Sequence, residues 1–325
     1  MNSIIQIPSP NFDARQCAIS HIILHYTDMS DCDAALARLC DLQAKVSAHY
    51  LIRRDGQSFQ LVDEADRAWH AGVSYWRGQT DMNSASIGIE LDYDGHVGGD
   101  VAAFPKAQMS ALMALLKDIV GRHGLDPRNI LGHSDIAPGR KIDPGAAFDW
   151  AALHQAGFGI WLESVATEDV PPLAEGSSDK AVAPLQKALA AFGYEVATDG
   201  VFGPQTKAVI TAFQRHFRPA KVDGVADAQT QSLIYAYCRA MREEEFPSAI
   251  INIGCIIIVS RVIIIVIIRR VEERLACCAI CRADGTGNQQ SCFAFAIAGQ
   301  TRARYGRAAE IQGRSIFIIM EWLIF

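Results

Sequence analysis

The sequence predicts an α/β protein with a mixed central β-sheet flanked by helices, followed by a small domain of three helices. Short apolar runs rich in β-branched residues alternate with longer helical patterns from residue 19 to residue 157. From residue 180 the apolar spacing is helical, and Gly-containing turns separate the segments. A length of 325 residues also fits about two domains.

The predicted strands of the first domain are short and lie between turn signals. They are residues 19–26, 46–52, 58–62 and 86–91. Asp55-Gly56 forms a tight hairpin turn between the second and the third. The predicted helices are residues 31–45, residues 105–123 and a final helix that opens at Phe148 and ends near Gly157. In the first of these helices, Leu42 belongs to the apolar side.

Glu90 is an unusual residue in the last predicted strand, because it interrupts an alternating apolar run. Ile87 and Ile89 face one side, whereas Gly88 and Glu90 face the other. An unpaired buried carboxylate is costly, so Glu90 needs either a basic partner on a neighbouring strand or a function. Gly88 leaves room beside it for another group to approach. Asp92, on the same face, is the alternative carboxylate.

The stretch from residue 132 to residue 145 concentrates reactive side chains in one loop. His133 precedes a turn at Pro138-Gly139, and Lys141 and Asp143 follow it. Residues two apart share a face in an extended segment, so the lysine and the carboxylate are expected side by side. A catalytic zinc site uses three protein ligands, and His133 with Asp143 supplies two. The third must come from elsewhere in the chain.

This loop resembles the second metal-binding motif of the zinc-dependent N-acetylmuramoyl-L-alanine amidases of the AmpD/AmiD type. Those enzymes are related to the phage lysozyme-amidases and to the peptidoglycan recognition proteins. His25-Tyr26-Thr27 resembles their first metal motif, and Ser9-Pro10-Asn11-Phe12 with Arg15 resembles their lead-in. The resemblance spans roughly residues 9–159 and implies the amidase fold, with Zn²⁺ as cofactor.

The resemblance also implies a role for each site residue, and no position of the expected set is substituted. The implied zinc ligands are His25, His133 and Asp143. Glu90 would be the general base, and Lys141 would stabilise the oxyanion. The implied reaction is hydrolysis of the amide between N-acetylmuramic acid and the L-alanine of the stem peptide. A protein that only binds muropeptide, or one in which the C-terminal module dominates as a scaffold, is the alternative.

Several other residues near these motifs have weaker assignments. His21 would share a face with His25 and is the fallback ligand, whereas His49 is interpreted as a core residue. By the resemblance, the aromatic loop at residues 68–72 forms a wall of the substrate groove. The predicted substrate contacts are Tyr26, Trp69 and His70. The alternative for this loop is a surface segment with a packed tryptophan.

Residues 162–179 are predicted as a linker and residues 180–245 as a second domain. The linker is acidic and contains Pro171-Pro172 and Gly176. In the second domain, Asp199-Gly200-Val201 with Thr206 recurs 24 residues later as Asp223-Gly224-Val225 with Thr230, and each Thr is expected to cap a helix. The segment from about residue 180 to residue 238 resembles a peptidoglycan-binding three-helix module; a generic helical bundle is the alternative. We expect it to tether the enzyme to cell wall and to be dispensable for the chemistry.

Residues 246–325 differ in composition from the rest of the chain. They contain 18 Ile but neither Lys nor His. Residues 249–268 are nearly all apolar and have the length of a membrane span, although Arg261 interrupts them. The tail is therefore interpreted as a spurious extension or as a membrane anchor, and as no part of the catalytic machine.

Charge, cysteine content and the N-terminus restrict partners and location. The net charge of the chain is −6, and the last 80 residues carry a net positive charge. The net charge of the first 245 residues is therefore more negative than −6, which argues against nucleic acid as a partner. The cysteines show no framework spacing, which predicts free thiols. The family implies the bacterial cell envelope, but residues 1–9 lack the pattern of a secretory signal, so a cytoplasmic location is the alternative. We expect a monomer.

Overall fold

The structure is a computed structural model of the chain. It describes residues 3–95, 103–162, 165–178 and 180–245, with backbone only from residue 241, and the backbone of two short strands, Ala308–Ile311 and Arg314–Phe317. The chain divides into two compact units, Met1–Ile250 and Ile251–Phe325. In the second unit, the two short strands pair antiparallel. The apolar run at residues 249–268 lies outside the described residues. Within the described part, no helix is long and apolar enough to cross a membrane.

The N-terminal half of the first unit is built on a mixed six-stranded sheet. The strands of this unit are β1 (Ile5–Gln6), β2 (Phe12–Ala14), β3 (His21–Tyr26), β4 (Tyr50–Ile52), β5 (Ser58–Gln60), β6 (Asp66–Ala68), β7 (Ser86–Leu91) and β8 (Ile130–Gly132). The sheet order is β1-β5-β4-β7-β3-β8, and β2 pairs with β6 separately. Strand β3 is parallel to both β7 and β8, whereas β4 and β5 are antiparallel. The predicted mixed sheet is confirmed.

Helices cover both faces of this sheet, as predicted. They are α1 (Cys32–Leu39), α2 (Met82–Ala85), α3 (Lys106–His123), α4 (His133–Ile136) and α5 (Trp150–Gln155), followed by α6 (Val182–Phe192), α7 (Pro204–Phe217) and α8 (Ala228–Glu245). One core joins Ile22, Leu24 and Ile89 to α3 and α5. A second core joins Ile23 and Leu131, on the opposite face, to the last three helices. The alternation of side chains along β3 explains why consecutive residues enter different cores.

The first predicted helix is shorter than the sequence suggests. It ends at Leu39 rather than at residue 45, and Leu42 is 58% exposed instead of packed. The buried Asn11 side chain donates hydrogen bonds to the carbonyls of Asp41 and Val46, both at 2.8 Å. These carbonyls are therefore held in a loop by a residue that lies about thirty positions away. The following strand consequently begins at Tyr50 and not at residue 46.

The repeated Asp-Gly-Val turns of the second domain are each held by a glutamine of the preceding helix. The Gln186 amide nitrogen lies 3.0 Å from Asp199 Oδ1, the Val201 carbonyl and Thr206 Oγ1, and its oxygen accepts from the Gly200 amide. Thr206 is the third residue of α7, which begins at Pro204 after Gly203. The prediction that this threonine caps the helix is therefore wrong, because its hydroxyl is turned toward the glutamine.

The second turn has the same arrangement. The Gln214 amide nitrogen contacts Asp223 Oδ1, the Val225 carbonyl and Thr230 Oγ1 at 2.9–3.3 Å. The carboxylate of Asp227, the residue before α8, accepts from the Thr230 amide at 3.0 Å, so the aspartate occupies the capping role that was predicted for the threonine.

The segment predicted as a linker lies along the helical domain. Leu173 is buried and exchanges backbone hydrogen bonds with Ala226 at 2.9–3.0 Å. The Leu162 amide donates to the hydroxyl of Tyr237, and Gln231 donates to the Pro171 carbonyl. The segment is thus packed over much of its described length. The domain boundaries at residues 161, 179 and 245 stay predictions.

Candidate metal centre and catalytic cleft

Three parallel strands bring the candidate site together at one edge of the sheet. His25 and Glu90 are register partners on β3 and β7. On the other side of β3, Leu24 pairs with Gly132, the last residue of β8, so His133 follows directly at the same edge. Ligands of α/β sheets commonly bind at the carboxyl ends of parallel strands. The topology therefore places residues that are 65 and 108 positions from His25 beside it.

His25, His133 and Asp143 form a buried group able to hold a metal ion. The two Nδ1 atoms are 2.9 Å apart, and Asp143 Oδ2 is 3.0 Å from His25 Nδ1 and 2.9 Å from His133 Nδ1. A tetrahedral zinc ion with ligand distances of about 2 Å spaces its ligand atoms by roughly 3.3 Å. The observed spacing is close to that value. The Ser134 amide also donates to the Asp143 carbonyl at 2.9 Å, which joins the two ends of the loop.

The outer nitrogens of both histidines have hydrogen-bond partners, and the carbonyl partner of His133 fixes the tautomer of that ring. His133 Nε2 donates to the Ala71 carbonyl at 3.0 Å. His25 Nε2 lies 3.0 Å from His70 Nδ1, and a neutral His25 that donates here leaves its own Nδ1 unprotonated. A metal-bound histidine usually donates its other ring nitrogen to such a partner. The Nδ1 lone pair of His133, and that of His25 in this tautomer, therefore point into the same space as the Asp143 carboxylate.

His70 is held in place from several sides. Its backbone amide donates to Asn83 Oδ1 at 2.9 Å, and Ser86 Oγ lies 3.5 Å from its Nε2. A Cβ atom added at Gly88 would come within 2.4 Å of the His70 ring. The group that uses the room left by Gly88 is thus His70. The sequence gives no signal for its contact with His25, because the two residues are 45 positions apart.

The protonation states of the group suit metal binding. Burial, helped by the neighbouring His133, lowers the pKa of His25 to about 4, so its imidazole is neutral near pH 7. Burial works in the opposite direction on Asp143, but His133 and His25 hold the pKa of that carboxyl well below its usual range. A neutral imidazole and an ionised carboxylate are the forms that bind metal.

Glu90 lines the same cleft as this group. Among the described residues, no hydrogen-bond partner reaches its buried Oε2. Burial, reinforced by the Asp143 carboxylate, raises the pKa of Glu90 to about 8, and Lys141 only partly offsets the rise. Its register partner on β4 is Leu51, so the basic partner considered from the sequence is not on that strand.

All of the residues proposed as ligands, catalysts or substrate contacts line one cleft of about 420 Å³. Its lining includes His25, Tyr26, Trp69, His70, Glu90, His133, Lys141 and Asp143. Trp69 is oriented by a 2.6 Å hydrogen bond from its indole nitrogen to Asp13. Arg140, which the sequence analysis does not single out, also lines the cleft. Its guanidinium donates to the carbonyls of Ala71 and Val73. It thereby connects the aromatic loop to the loop at residues 132–145, which is called the metal loop below.

His21, the fallback ligand, and Asp92, the alternative carboxylate, do not line the cleft. His21 is at the opposite end of β3, opposite Ser86, and its Nδ1 contacts Ser20 Oγ at 2.8 Å. Asp92 is buried next to Arg54 and does not line the cleft. His49 is buried and accepts from the Gly88 amide at 2.9 Å, as expected of a core residue. Within the described part of the chain, Cys17, Cys32 and Cys40 are free thiols, as predicted.

Two family descriptions match the chain. An N-acetylmuramoyl-L-alanine amidase domain matches residues 15–146, which include every residue of the metal group together with Glu90 and Lys141. A putative peptidoglycan binding domain matches residues 178–234, which include both Asp-Gly-Val turns.

Individual relatives agree with both matches. The chain is 42% identical over 229 residues to the N-acetylmuramoyl-L-alanine amidase AmiD of Escherichia coli strain K12, a region that covers 67% of this chain and 82% of AmiD. It is 38% identical over 168 residues to the 1,6-anhydro-N-acetylmuramyl-L-alanine amidase AmpD of the same strain, covering 46% of this chain and 89% of AmpD.

A solved structure shows the same similarity in three dimensions. It is the complex of E. coli AmiD with the substrate anhydro-N-acetylmuramic acid-L-Ala-D-gamma-Glu-L-Lys. The match has a TM-score of 0.58 at 38% identity, and it covers 72% of this chain and 93% of the AmiD chain. The similarity therefore extends over the sheet and the three helices that follow it.

Proposed function

The chain belongs to the N-acetylmuramoyl-L-alanine amidase family, and from that premise we propose which of its residues hydrolyse the amide between N-acetylmuramic acid and L-alanine. One observation carries the proposal. The His25, His133 and Asp143 group lines the same cleft as Glu90, whose buried Oε2 has no hydrogen-bond partner among the described residues. Peptidoglycan or a soluble muropeptide is the proposed substrate, because AmiD is crystallised with a muropeptide and a peptidoglycan-binding domain follows.

We propose Zn²⁺ as the metal. Two imidazole nitrogens and one carboxylate oxygen are a common ligand set for catalytic zinc, and this set leaves a fourth position for chemistry. The tautomer of His133, which the Ala71 carbonyl fixes, supports the assignment. Bound there, the ion supplies Lewis-acid activation of the amide carbonyl and of water.

Glu90 is the proposed general base. Its carboxylate removes a proton from the attacking water and then passes that proton to the amine of L-alanine as the amide bond breaks. The raised pKa of Glu90 suits this sequence, because a group with a pKa near the working pH both accepts and releases a proton readily. The absence of a hydrogen bond at its buried Oε2 among the described residues leaves that oxygen available.

Lys141 is the proposed stabiliser of the oxyanion that develops on the attacked carbonyl. It lines the cleft together with Asp143, so its ammonium is available to the substrate from the metal loop. A fixed positive charge near a developing oxyanion lowers the barrier more in a secluded cleft than in water. Tyr26 and Trp69 are proposed as walls for the sugar or the peptide. His70 is proposed as a substrate contact and also, because it contacts His25, as a residue that orients that imidazole.

A role limited to binding muropeptide does not explain the cleft as well. Binding alone does not require a desolvated carboxylate beside three potential metal ligands, and such a carboxylate is costly to bury. The proposed setting is turnover or recycling of peptidoglycan in the cell envelope.

Product analysis tests the proposed function. The purified protein is incubated with intact sacculi and, separately, with a soluble anhydro-muropeptide, and the products are identified by mass spectrometry. Free stem peptide that begins with L-alanine, together with a muramic-acid product that has lost its peptide, is expected. Activity should disappear after chelation and return with Zn²⁺. Unchanged substrate, or activity that resists exhaustive chelation, contradicts the assignment.

A further inference from the structure

The loop that carries His133 has a second buried polar cluster on its far side. Helix α4 contains both His133 and Asp135, and Asp135 is 0% exposed. Asp135 Oδ2 accepts from the Gly132 amide at 2.8 Å, which closes the start of this short helix. The residue that supplies a metal ligand and the buried aspartate are therefore only two positions apart in one turn.

The other two donors to Asp135 come from the helical domain. The Tyr194 hydroxyl donates to Oδ1 at 3.0 Å, and His216 Nδ1 donates to Oδ2 at 2.7 Å. Tyr194 and His216 are each 2% exposed. The carboxylate thus receives one hydrogen bond from its own loop and two from residues 59 and 81 positions later.

Apolar and aromatic packing closes this cluster against water. The His216 ring stacks on Trp150 of α5 with the centroids 3.6 Å apart. Tyr194 meets Trp76 edge to face at 5.0 Å. Ile136, the last residue of α4, is buried in the core that includes all three helices of the second domain. The back of the metal loop is therefore part of the interface with the helical domain.

The energetics connect this interface to the metal centre. A buried carboxylate that loses its donors is costly, so Asp135 would turn toward water if the helical domain withdrew them. Such a movement would reorient α4 and, with it, His133. Displacements of about 1 Å in a catalytic constellation can cost roughly 100-fold in rate.

We propose that Tyr194 and His216 are positioning residues for the amidase reaction, because they hold Asp135 and thereby fix His133 for metal binding. The inference rests on the proposed function. It differs from the sequence-based expectation that residues 162–245 act only as a tether. The helical domain would then be a structural support of the catalytic site as well as a wall-binding element.

Tyr194→Phe is the main test, and Tyr237→Phe is its matched control. Both tyrosines are buried in the helical domain, and each hydroxyl makes one identified hydrogen bond, but that of Tyr237 is to the Leu162 amide and not to the metal loop. His216→Leu removes the second donor, whereas His216→Asn retains a donor near the position of Nδ1. The readouts are the Zn²⁺ dissociation constant by chelator competition, kcat and KM on a soluble muropeptide, and the thermal midpoint.

Tyr194→Phe should weaken Zn²⁺ binding about tenfold, at the lower end of the effect of outer groups on metal affinity. His216→Leu should weaken it further, and His216→Asn should recover most of the loss. The rate loss should appear in kcat more than in KM. Tyr237→Phe should lower the thermal midpoint about as much as Tyr194→Phe while Zn²⁺ affinity stays unchanged.

The proposal is overturned if Tyr194→Phe binds Zn²⁺ like the unmodified protein, or if Tyr237→Phe weakens binding equally. If His216→Leu does not fold, the Zn²⁺ affinities of Tyr194→Phe and His216→Asn still decide whether the proposal holds. If the unmodified protein binds Zn²⁺ but releases no stem peptide, the proposed function fails, and the comparison of Zn²⁺ affinities still decides this inference.

Discussion

The catalytic half of the molecule contains a buried glutamate, Glu64, and a half-buried one, Glu90, and their surroundings shift the pKa in opposite directions. Glu64 accepts from Tyr50, from both terminal nitrogens of Arg122 and from His123. Burial alone would raise the pKa of Glu64, but these donors outweigh it and lower the pKa to about 2. In the part of the chain that the structure describes, Glu90 has no such donors on its buried Oε2, and burial raises its pKa to about 8.

The difference separates an architectural carboxylate from the one that is proposed to react. The donors around Glu64 join β4 to the end of α3 and keep the charge satisfied. Glu90 keeps an unsatisfied oxygen at the edge of the cleft, next to the metal group. Desolvation acts to raise the pKa at both sites, and the hydrogen-bond donors decide whether the carboxylate stabilises the fold or is left for chemistry.

Among the changes in the cleft that contains Glu90, removal of a metal ligand should have the largest effect on zinc content and turnover. We expect His133→Ala to lose stoichiometric Zn²⁺ and measurable amidase activity, because two of the three ligands do not make a catalytic zinc site. Metal content and turnover are measured on the same preparation. His154→Ala, on the exposed side of α5, is the control and should keep both. A variant without His133 that still holds one zinc per chain would remove His133 from the ligand set.

Removing the Lys141 ammonium from the cleft should have the next largest effect. Lys141→Ala should retain Zn²⁺ but lose about 10²–10³-fold in kcat, the usual loss when an oxyanion partner is removed. Steady-state kinetics on a soluble muropeptide measure the change. Lys117→Ala, at an exposed position of α3, should leave kcat unaltered. A loss smaller than tenfold for Lys141→Ala would assign the oxyanion to another group.

On the Glu64 side, the expected effect is on stability and not on rate. Glu64→Gln should lower the free energy of unfolding by about 2 kcal/mol at pH 7, because charge-assisted hydrogen bonds are lost. Urea unfolding measures the change, and amidase turnover should stay as it is in the unmodified protein. A large loss of turnover in a folded Glu64→Gln variant would abolish the distinction between the two glutamates.

The pH dependence sharpens this prediction. The pKa of Glu64 is about 2 in the folded protein and about 4.3 in an unfolded chain, so its contribution is present above about pH 4.3 and is lost as the pH falls toward 2. The difference in urea midpoint between the unmodified protein and Glu64→Gln should therefore shrink from pH 7 to pH 3. A difference that is constant over this range would contradict the depressed pKa.

The candidate site could be predicted from the sequence where its signals are local. His133, Lys141 and Asp143 lie within one short loop, and Glu90 stands out because a carboxylate interrupts an apolar strand. Both features depend on spacing and on the cost of burial. The mixed sheet followed by three helices is predictable for the same reason, because each strand and helix has its own periodicity.

The interactions that the sequence does not reveal are non-local. His70 reaches His25 across 45 positions, and Asn11 ends the first helix from about thirty positions away. The role of Gln186 and Gln214 is not visible in the repeat of the turns. The two glutamines are 28 residues apart, whereas the turns that they hold are 24 residues apart. A single side chain that satisfies distant backbone or ring atoms leaves no periodic pattern.

The central claim is that Glu90 performs the proton transfers of a zinc amidase, and Glu90→Gln tests it most directly. Zinc content and turnover of a soluble muropeptide are measured on the same sample, with Glu64→Gln as the matched substitution. Glu90→Gln should keep one zinc per chain and lose about 10²–10⁴-fold in kcat, the range expected for a general base. A zinc-loaded Glu90→Gln protein whose kcat falls by less than about tenfold would contradict the claim.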